Sequence, residues 1–173
     1  MAGLLRAAAC VIAEKGYAPA TMCAIGKRAD SSIGSLYQFF PNKEAVVDAL
    51  RVQYTKEIGK LWAAFAAQAA SLTVAGLVSR LIKSLIEFAE SHPSLCALFE
   101  APPTANSSRR REHIRERIAK VYLACNPRIP NATALRLAAV VNEIVKGLLR
   151  LYARTGPDER PLIVEEFKGI LIN

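Results

Sequence analysis

Apolar positions in this chain recur every three or four residues, and long stretches with an alternating pattern of β-branched residues are almost lacking. Over residues 3–15, for example, Leu4, Ala8, Val11 and Ile12 share one helical face, and Gly16 is a typical helix end. The spacing predicts further helices over 43–69, 72–90, 94–100, 108–125, 131–153 and 158–171, with two short ones between 21 and 40. It therefore predicts an all-α fold of about nine helices.

The segment 21–43 differs from the rest, because two short helical stretches are separated by a tight turn. Thr21 is a good N-cap for the first stretch, and Ser31 or Ser32 for the second. Asp30 tolerates a left-handed turn better than most residues. Pro41 ends the second stretch, and Asn42 is positioned to cap the next helix.

We expect the two short helices to share a small core, with Gly26 leaving space where their backbones cross. The core positions are Ile25, Ala29, Leu36, Phe39 and Phe40. Small and polar residues lie on the opposite side, where a DNA duplex would approach. The spacing fits a helix-turn-helix DNA reader, and an ordinary helical hairpin without a nucleic-acid role has the same spacing.

Residues 4–47 resemble the DNA-binding domain of TetR-type transcriptional regulators. The run 32–44, Ser-Ile-Gly-Ser-Leu-Tyr-Gln-Phe-Phe-Pro-Asn-Lys-Glu, is the most specific match, supported by the 13–17 stretch Ala-Glu-Lys-Gly-Tyr. The chain departs from the family pattern at Gly26, Asp30 and Ser31, where alanine, glycine and an apolar residue are common. Family members often carry a basic arm ahead of the first helix, and the chain as given has two residues there.

The resemblance implies a helix-turn-helix DNA-binding domain over 1–43, with the motif at 21–40, and a regulatory, ligand-binding and dimerisation domain over 44–173. We expect the second short helix to read base edges through Ile33, Ser35 and Gln38. Gln38 suits adenine, and Ile33 suits a thymine methyl group. The family pattern suggests phosphate contacts by Thr21, Ser32, Tyr37 and Lys43, and Gly34 belongs to the same surface. Lys27 and Arg28 fit either solvated charge or backbone contact.

The segment 131–153 is apolar on several sides, and a helix of this kind must be covered on both flanks. A partner subunit is the simple explanation, and a fully buried helix in a monomer is the alternative. Together with the last helix, the segment 131–153 predicts a four-helix homodimer interface. Its members are Leu135, Val141, Ile144, Val145, Leu148, Leu149, Phe167 and Ile170. A two-fold dimer would read two half-sites of a palindromic operator in double-stranded DNA.

An unidentified small-molecule effector is expected to bind within the second domain. Candidate lining residues are Trp62, Phe65, Phe88, Phe99, Tyr122 and Asn142. Ordinary core packing is the favoured explanation for the aromatic residues, whereas an amide in an apolar helix must find a polar partner. The effector would favour a conformation in which the two reader helices no longer match the operator, which is how a repressor is released.

Composition agrees with this interpretation without proving it. The chain has 173 residues, 52% of them hydrophobic, and a formal net charge of +8, which suits an anionic partner. However, residues 1–50 hold five basic and four acidic side chains, so the excess charge lies elsewhere. The densest basic run, Arg109 to Arg111, fits a solvated face or an anion site.

The remaining chemistry is sparse. Cys10, Cys23, Cys96 and Cys125 have no metal-ligand spacing, and we expect reduced thiols in helices, with a thiol sensor as the alternative. No signal peptide or membrane span is apparent, which predicts a cytoplasmic protein without a membrane partner. Catalytic motifs, metal sites and cofactor loops are not found, so an enzyme is disfavoured. A helical protein-binding adaptor, or a ligand-binding protein with weakened DNA reading, is the second hypothesis.

Overall fold

A computed structural model describes residues 1–172, and its regular structure there consists of helices without strands. Nine α-helices follow one another within these residues, so the predicted all-α fold is confirmed. Their bounds are α1 Ala2–Lys15, α2 Met22–Arg28, α3 Ile33–Phe39, α4 Lys43–Gln68, α5 Val74–Ser91, α6 Leu95–Glu100, α7 Ser107–Cys125, α8 Asn131–Arg154 and α9 Arg160–Ile172. A 3-10 turn, Ala69–Ser71, separates α4 from α5.

The chain forms two compact units. The first contains residues 1–56 and 90–108, and the second contains residues 57–89 and 109–173. Helix α4 contributes its first half to one unit and its second half to the other. The functional boundary expected after residue 43 is a different division of the chain, and it stays a prediction.

The first unit is built around α1, whose buried face consists of Leu4, Ala7, Ala8, Val11 and Ile12. The helix ends at Gly16, which has a φ of 82°, a value that residues other than glycine rarely adopt. The sequence therefore placed this helix end correctly. Ile12 and Ala8 are fully buried, and this core supports the two short helices that follow.

The beginning of α4 is fastened to the segment 98–106 by two side chains one turn apart. Arg51 donates hydrogen bonds to the carbonyl oxygens of Leu98 and Ala101, each at 2.6 Å, and of Pro102 at 2.8 Å. The Asp48 carboxylate accepts bonds from the Thr104 hydroxyl at 2.6 Å and from the Asn106 side-chain amide at 2.7 Å. Cations are favourable at a helix C-terminus, so Arg51 stabilises the end of α6.

The core of the second unit brings α4, α7 and α8 together. Its buried members are Trp62, Phe65, Ala69, Ile118, Ala119, Val121, Ala134 and Ala138. Arg117 of α7 donates to the Gly59 carbonyl oxygen at 3.0 Å, and a Cβ atom at position 59 would lie 3.0 Å from the Arg117 Nε. Arg117 thus has a packing role in addition to its charge. Within residues 1–172, every helix is too short or too polar to cross a bilayer.

Candidate nucleic-acid interface

Helices α2 and α3 meet at a turn whose geometry matches the expectation from the sequence. Asp30 adopts a φ of 48°, the left-handed conformation that aspartate tolerates. The Ser31 amide donates to the Gly26 carbonyl oxygen at 3.0 Å, which closes the turn. A Cβ atom at Gly26 would lie 3.3 Å from the Ser31 carbonyl oxygen. A small residue is therefore required at position 26, and Asp30 fits the turn despite its departure from the family pattern.

A side-chain N-cap precedes each of the helices α2, α3 and α4. Thr21 Oγ1 accepts a hydrogen bond from the Ala24 amide at 3.1 Å, and Ser32 Oγ accepts one from the Ser35 amide at 3.1 Å. Asn42 Oδ1 accepts from the Ala45 amide at 2.8 Å at the start of α4. These bonds satisfy amides that a helix terminus would otherwise leave without partners. The expected caps are confirmed, with Ser32 rather than Ser31 acting at α3.

The core beneath α3 contains most of the expected residues. Ile25 and Leu36 are fully buried, and Phe40 is nearly so. Phe39, however, is 50% exposed, so its expected place in the core is wrong. A helix of seven residues turns one narrow face inward, and Leu36 occupies that face. Phe40 reaches the core because the chain leaves the helix in an extended conformation at that residue.

Consequently, α3 presents most of the predicted DNA-contacting side chains to solvent. Ile33 is 46% exposed and Tyr37 is 50% exposed, and Gly34 and Gln38 are also exposed. Ser35 is half-buried, and its hydroxyl oxygen lies 2.9 Å from that of Ser32. Thr21 and Ser32, the caps of α2 and α3, are exposed. Apolar and polar groups on one short helix are what base-edge recognition in a major groove requires.

Lys43 makes intramolecular contacts that the sequence did not indicate. Its ammonium nitrogen donates to the carbonyl oxygens of Tyr17 and Ala18, at 3.0 and 3.1 Å, and lies 4.3 Å from the centre of the Tyr17 ring. It therefore fastens the α1–α2 connection to the start of α4. An ammonium group has three donors, so one remains for a further acceptor. The intramolecular contacts of Lys43 could not be inferred from spacing.

Two acidic residues of the first unit, Glu14 and Glu44, bond to neighbouring side chains. Arg28 forms an ion pair with Glu14, and the pKa of Arg28 is raised mainly by its hydrogen bond to that carboxylate. The Tyr17 hydroxyl donates to Glu44 Oε1 at 3.2 Å. Burial raises the pKa of Tyr17, and the hydrogen bond to Glu44 raises it further. Arg28 thus has an intramolecular partner, which favours the solvated, non-DNA role considered for it.

The predicted effector residues fall into separate environments. Trp62 and Phe65 are buried in the core of the second unit, and Tyr122 packs against that core. Phe99 belongs to the first unit, and Phe88 to the second. The Asn142 side-chain amide donates to Glu143 Oε1 at 3.1 Å, which satisfies part of its polar requirement. Of the six residues, Phe65 lines a cleft that is open to a ligand.

This cleft lies between the second half of α4 and the facing side of α5. It has a volume of about 360 Å³, and its walls are chemically different. Leu61, Ala64 and Phe65 form an apolar wall that Gln68 continues, and the α5 wall consists of Arg80, Lys83, Ser84 and Glu87. Both sets have the spacing i, i+3, i+4 and i+7, so each is a single helical face. The α5 wall contains no aromatic residue, and the candidate lining residues were mostly aromatic, so the sequence did not indicate this wall.

The predicted dimer residues divide between buried and accessible positions. Val145, Leu148 and Leu149 are buried within the chain, whereas Ile170 is 68% exposed. Leu135, Val141, Ile144 and Phe167 are half-buried. Additional large apolar side chains are exposed on α8 and α9, namely Leu137, Val140, Leu151, Leu162 and Ile172. The four cysteines are free thiols in helices, and three of them are exposed.

Two family models match the chain and together account for most of it. The model described as bacterial regulatory proteins of the tetR family matches residues 4–50, and the tetracyclin repressor-like C-terminal domain matches residues 73–173. The chain belongs to the TetR family. It is therefore a TetR-family transcriptional regulator with an N-terminal helix-turn-helix domain and a C-terminal helical domain. This family consists of regulators rather than enzymes.

Solved structures of other family members share the fold. A TetR-family regulator from Streptomyces coelicolor is 23% identical, with a TM-score of 0.72 over 98% of this chain and 94% of that one. A regulator from Legionella pneumophila is 20% identical, with a TM-score of 0.74 over 98% and 93%. FadR from Bacillus subtilis, solved with stearoyl-CoA, is 16% identical, with a TM-score of 0.70 over 99% and 97%. Among curated proteins, none matches this sequence.

Proposed function

We propose that this TetR-family protein is a cytoplasmic repressor that binds a palindromic operator as a homodimer and is released by a small-molecule effector. Its functional division is DNA reading by residues 1–43 and regulation by residues 44–173. The observation that carries the proposal is the orientation of α3. Leu36 anchors this helix in the core, while Ile33, Tyr37 and Gln38 are directed to solvent.

The proposed DNA contacts divide into two classes with different consequences. Ile33, Ser35 and Gln38 read base edges, whereas Thr21, Ser32, Tyr37 and Lys43 bind phosphates and set the register, with Gly34 allowing close approach. Binding to the DNA that flanks the protein's own gene tests this proposal, measured by gel shift at two or more salt concentrations. Specific binding whose affinity falls with salt supports it, and binding no tighter than to random duplex contradicts it.

The homodimer is proposed to form through α8 and α9. Val140 and Ile170 are 57% and 68% exposed, and exposed apolar patches of this kind mark interaction surfaces. Val140→Glu and Ile170→Glu should therefore convert a dimer into a monomer of 18.8 kDa in sedimentation equilibrium. Lys120→Glu, an exposed change on α7, is the matched control and should leave the dimer intact. A parent protein that sediments as a monomer would exclude this arrangement.

The α4–α5 cleft is proposed as the effector site. An apolar wall facing Arg80 suits a ligand that has an apolar body and an anionic group, whereas Lys83 on the same wall lies 3.9 Å from the Glu87 carboxylate. The stearoyl-CoA complex of Bacillus subtilis FadR supports an acyl compound as the class, and the cleft volume favours a short chain. Octanoate, with octanol as the uncharged control, is the probe.

The test is release of the protein from DNA that it binds specifically. Octanoate should release the parent at lower concentration than octanol does, and Arg80→Gln should remove this difference. Lys60→Gln, an exposed change on α4 outside the cleft, should retain it. Equal responses to octanoate and octanol in the parent would reject an anion-recognising cleft.

A further inference from the structure

One face of α8 carries a row of apolar or small residues that the core of the second unit does not fully cover. The buried contacts of α8 come from a different face, which includes Ala138 and Val145. Members of the row alternate in spacing between three and four residues, which keeps them on one side of the helix. Three of the five are exposed and two are half-buried. This row, the outer stripe, consists of Leu137, Val140, Ile144, Gly147 and Leu151.

Gly147 lies in the outer stripe at a point where the fold of one chain gives no reason for glycine. Glycine destabilises a helix interior relative to alanine, because it loses more conformational freedom on folding. A Cβ atom at position 147 would meet no atom within 4 Å among residues 1–172. By contrast, a Cβ atom at Gly26 or Gly59 would meet an atom at 3.3 Å or closer. A second backbone that approaches α8 at this point would require the glycine.

Two opposite charges flank Gly147 along α8. Glu143 precedes it by four residues and Arg150 follows it by three, and their spacing of seven residues places both at the same edge of the outer stripe. The Glu143 side chain bonds to Lys146 at 2.7 Å, yet 65% of it stays exposed. An antiparallel crossing of two α8 helices at Gly147 brings Glu143 level with Leu151 of the second copy, one residue from Arg150. A parallel pair would instead bring each charge level with its own copy.

We propose that the outer stripe packs against the outer stripe of a second copy, with the two α8 helices antiparallel and Gly147 on the two-fold axis. This inference rests on the proposed homodimer and specifies its register. TetR-family regulators are dimers, so a second copy is the occupant that the family supports. The face is self-complementary, as a two-fold interface requires, because Glu143 of each copy meets Arg150 of the other. Val140 and Leu151 lose exposed apolar surface on either side of the axis.

Cross-linking of a residue to its own copy tests the axis directly. Gly147→Cys should form an intermolecular disulfide under mild oxidation, seen as a dimer band on a non-reducing gel, because a disulfide needs Cα atoms within about 7 Å. Val140→Cys is the matched control in the same stripe. Its two copies would lie about 21 Å apart, fourteen residues along antiparallel helices, and should not cross-link. The parent measures the background from its four native cysteines.

Charge reversal tests the pairing while Gly147 is retained. Glu143→Arg and Arg150→Glu should each raise the dimer dissociation constant about tenfold in sedimentation at low salt, because like charges then face each other. An equimolar mixture of the two variants should associate as tightly as the parent, since every reversed charge then meets an opposite charge on the other chain. Contacts within one chain are the same in the mixture as in the separate variants, so this recovery isolates the pairing between copies.

Two results overturn the inference while the homodimer stands. One is a Gly147→Cys cross-link no stronger than the parent background or than that of Val140→Cys. The other is a mixture of Glu143→Arg and Arg150→Glu that associates no better than either variant alone. A parent protein that sediments as a monomer would instead contradict the proposed homodimer.

Discussion

Removing the Arg51 side chain should destabilise the first unit, because one guanidinium group holds three carbonyl oxygens. Arg51→Ala loses the bonds to Leu98, Ala101 and Pro102, which range from 2.6 to 2.8 Å. Hydrogen bonds to charged groups contribute about 1.5–3 kcal/mol when buried. Arg51 is half-buried and water can replace part of these contacts, so we expect a total loss of about 2 kcal/mol.

Urea denaturation at fixed protein concentration measures this loss. For a slope of about 2 kcal/mol per molar urea, the midpoint should fall by about 1 M. Lys56→Ala, an exposed change on the same helix, should shift the midpoint little. Hydrogen exchange should show faster opening of α6 in Arg51→Ala, which locates the effect. Equal midpoints for the two variants would refute the role assigned to Arg51.

Three other changes test the core, a titrating residue and base reading. Leu36→Ala should cost about 2–5 kcal/mol in urea denaturation, because it opens a cavity at a fully buried position; a loss below about 1 kcal/mol would contradict this packing. Burial raises the pKa of Tyr122 above its ordinary value of 10.0. The stability linked to the protonated form is therefore present below pH 10 and is lost as pH rises through the pKa of the folded state. Tyr122→Phe should therefore lose less stability than the parent above pH 10, and parallel losses would argue against the shift. Gln38→Ala should relax discrimination at one base pair by about 1–3 kcal/mol in competition binding, and unchanged discrimination would remove Gln38 from the readers.

Local chemistry made the helix-turn-helix segment 21–43 predictable from the sequence. Caps at Thr21 and Asn42, the left-handed turn at Asp30 and the small residue at Gly26 each depend on neighbours only a few residues away. Phe39 was placed wrongly because adjacent aromatic residues satisfy the same apolar pattern. The extended backbone at Phe40 decides which of the two is buried.

Interactions between distant segments were not predictable in the same way. Arg51 and Asp48 bond to residues about fifty positions away, and no periodic pattern indicates such pairs. The apolar helix α8 presents a related difficulty. Ala134 and Ala138 are fully buried while the larger Val140 is exposed, so side-chain size does not reveal which face enters the core. Tertiary packing against α4 and α7 makes that choice.

In the proposed function, two copies of α3 read a two-fold symmetric operator. Selection of binding sites from random duplexes by the purified protein, followed by sequencing, tests it most directly. We expect an inverted repeat whose half-site centres are separated by about 10–10.5 base pairs or a multiple of that distance. Enrichment of a single asymmetric site, or of no site, would contradict the claim.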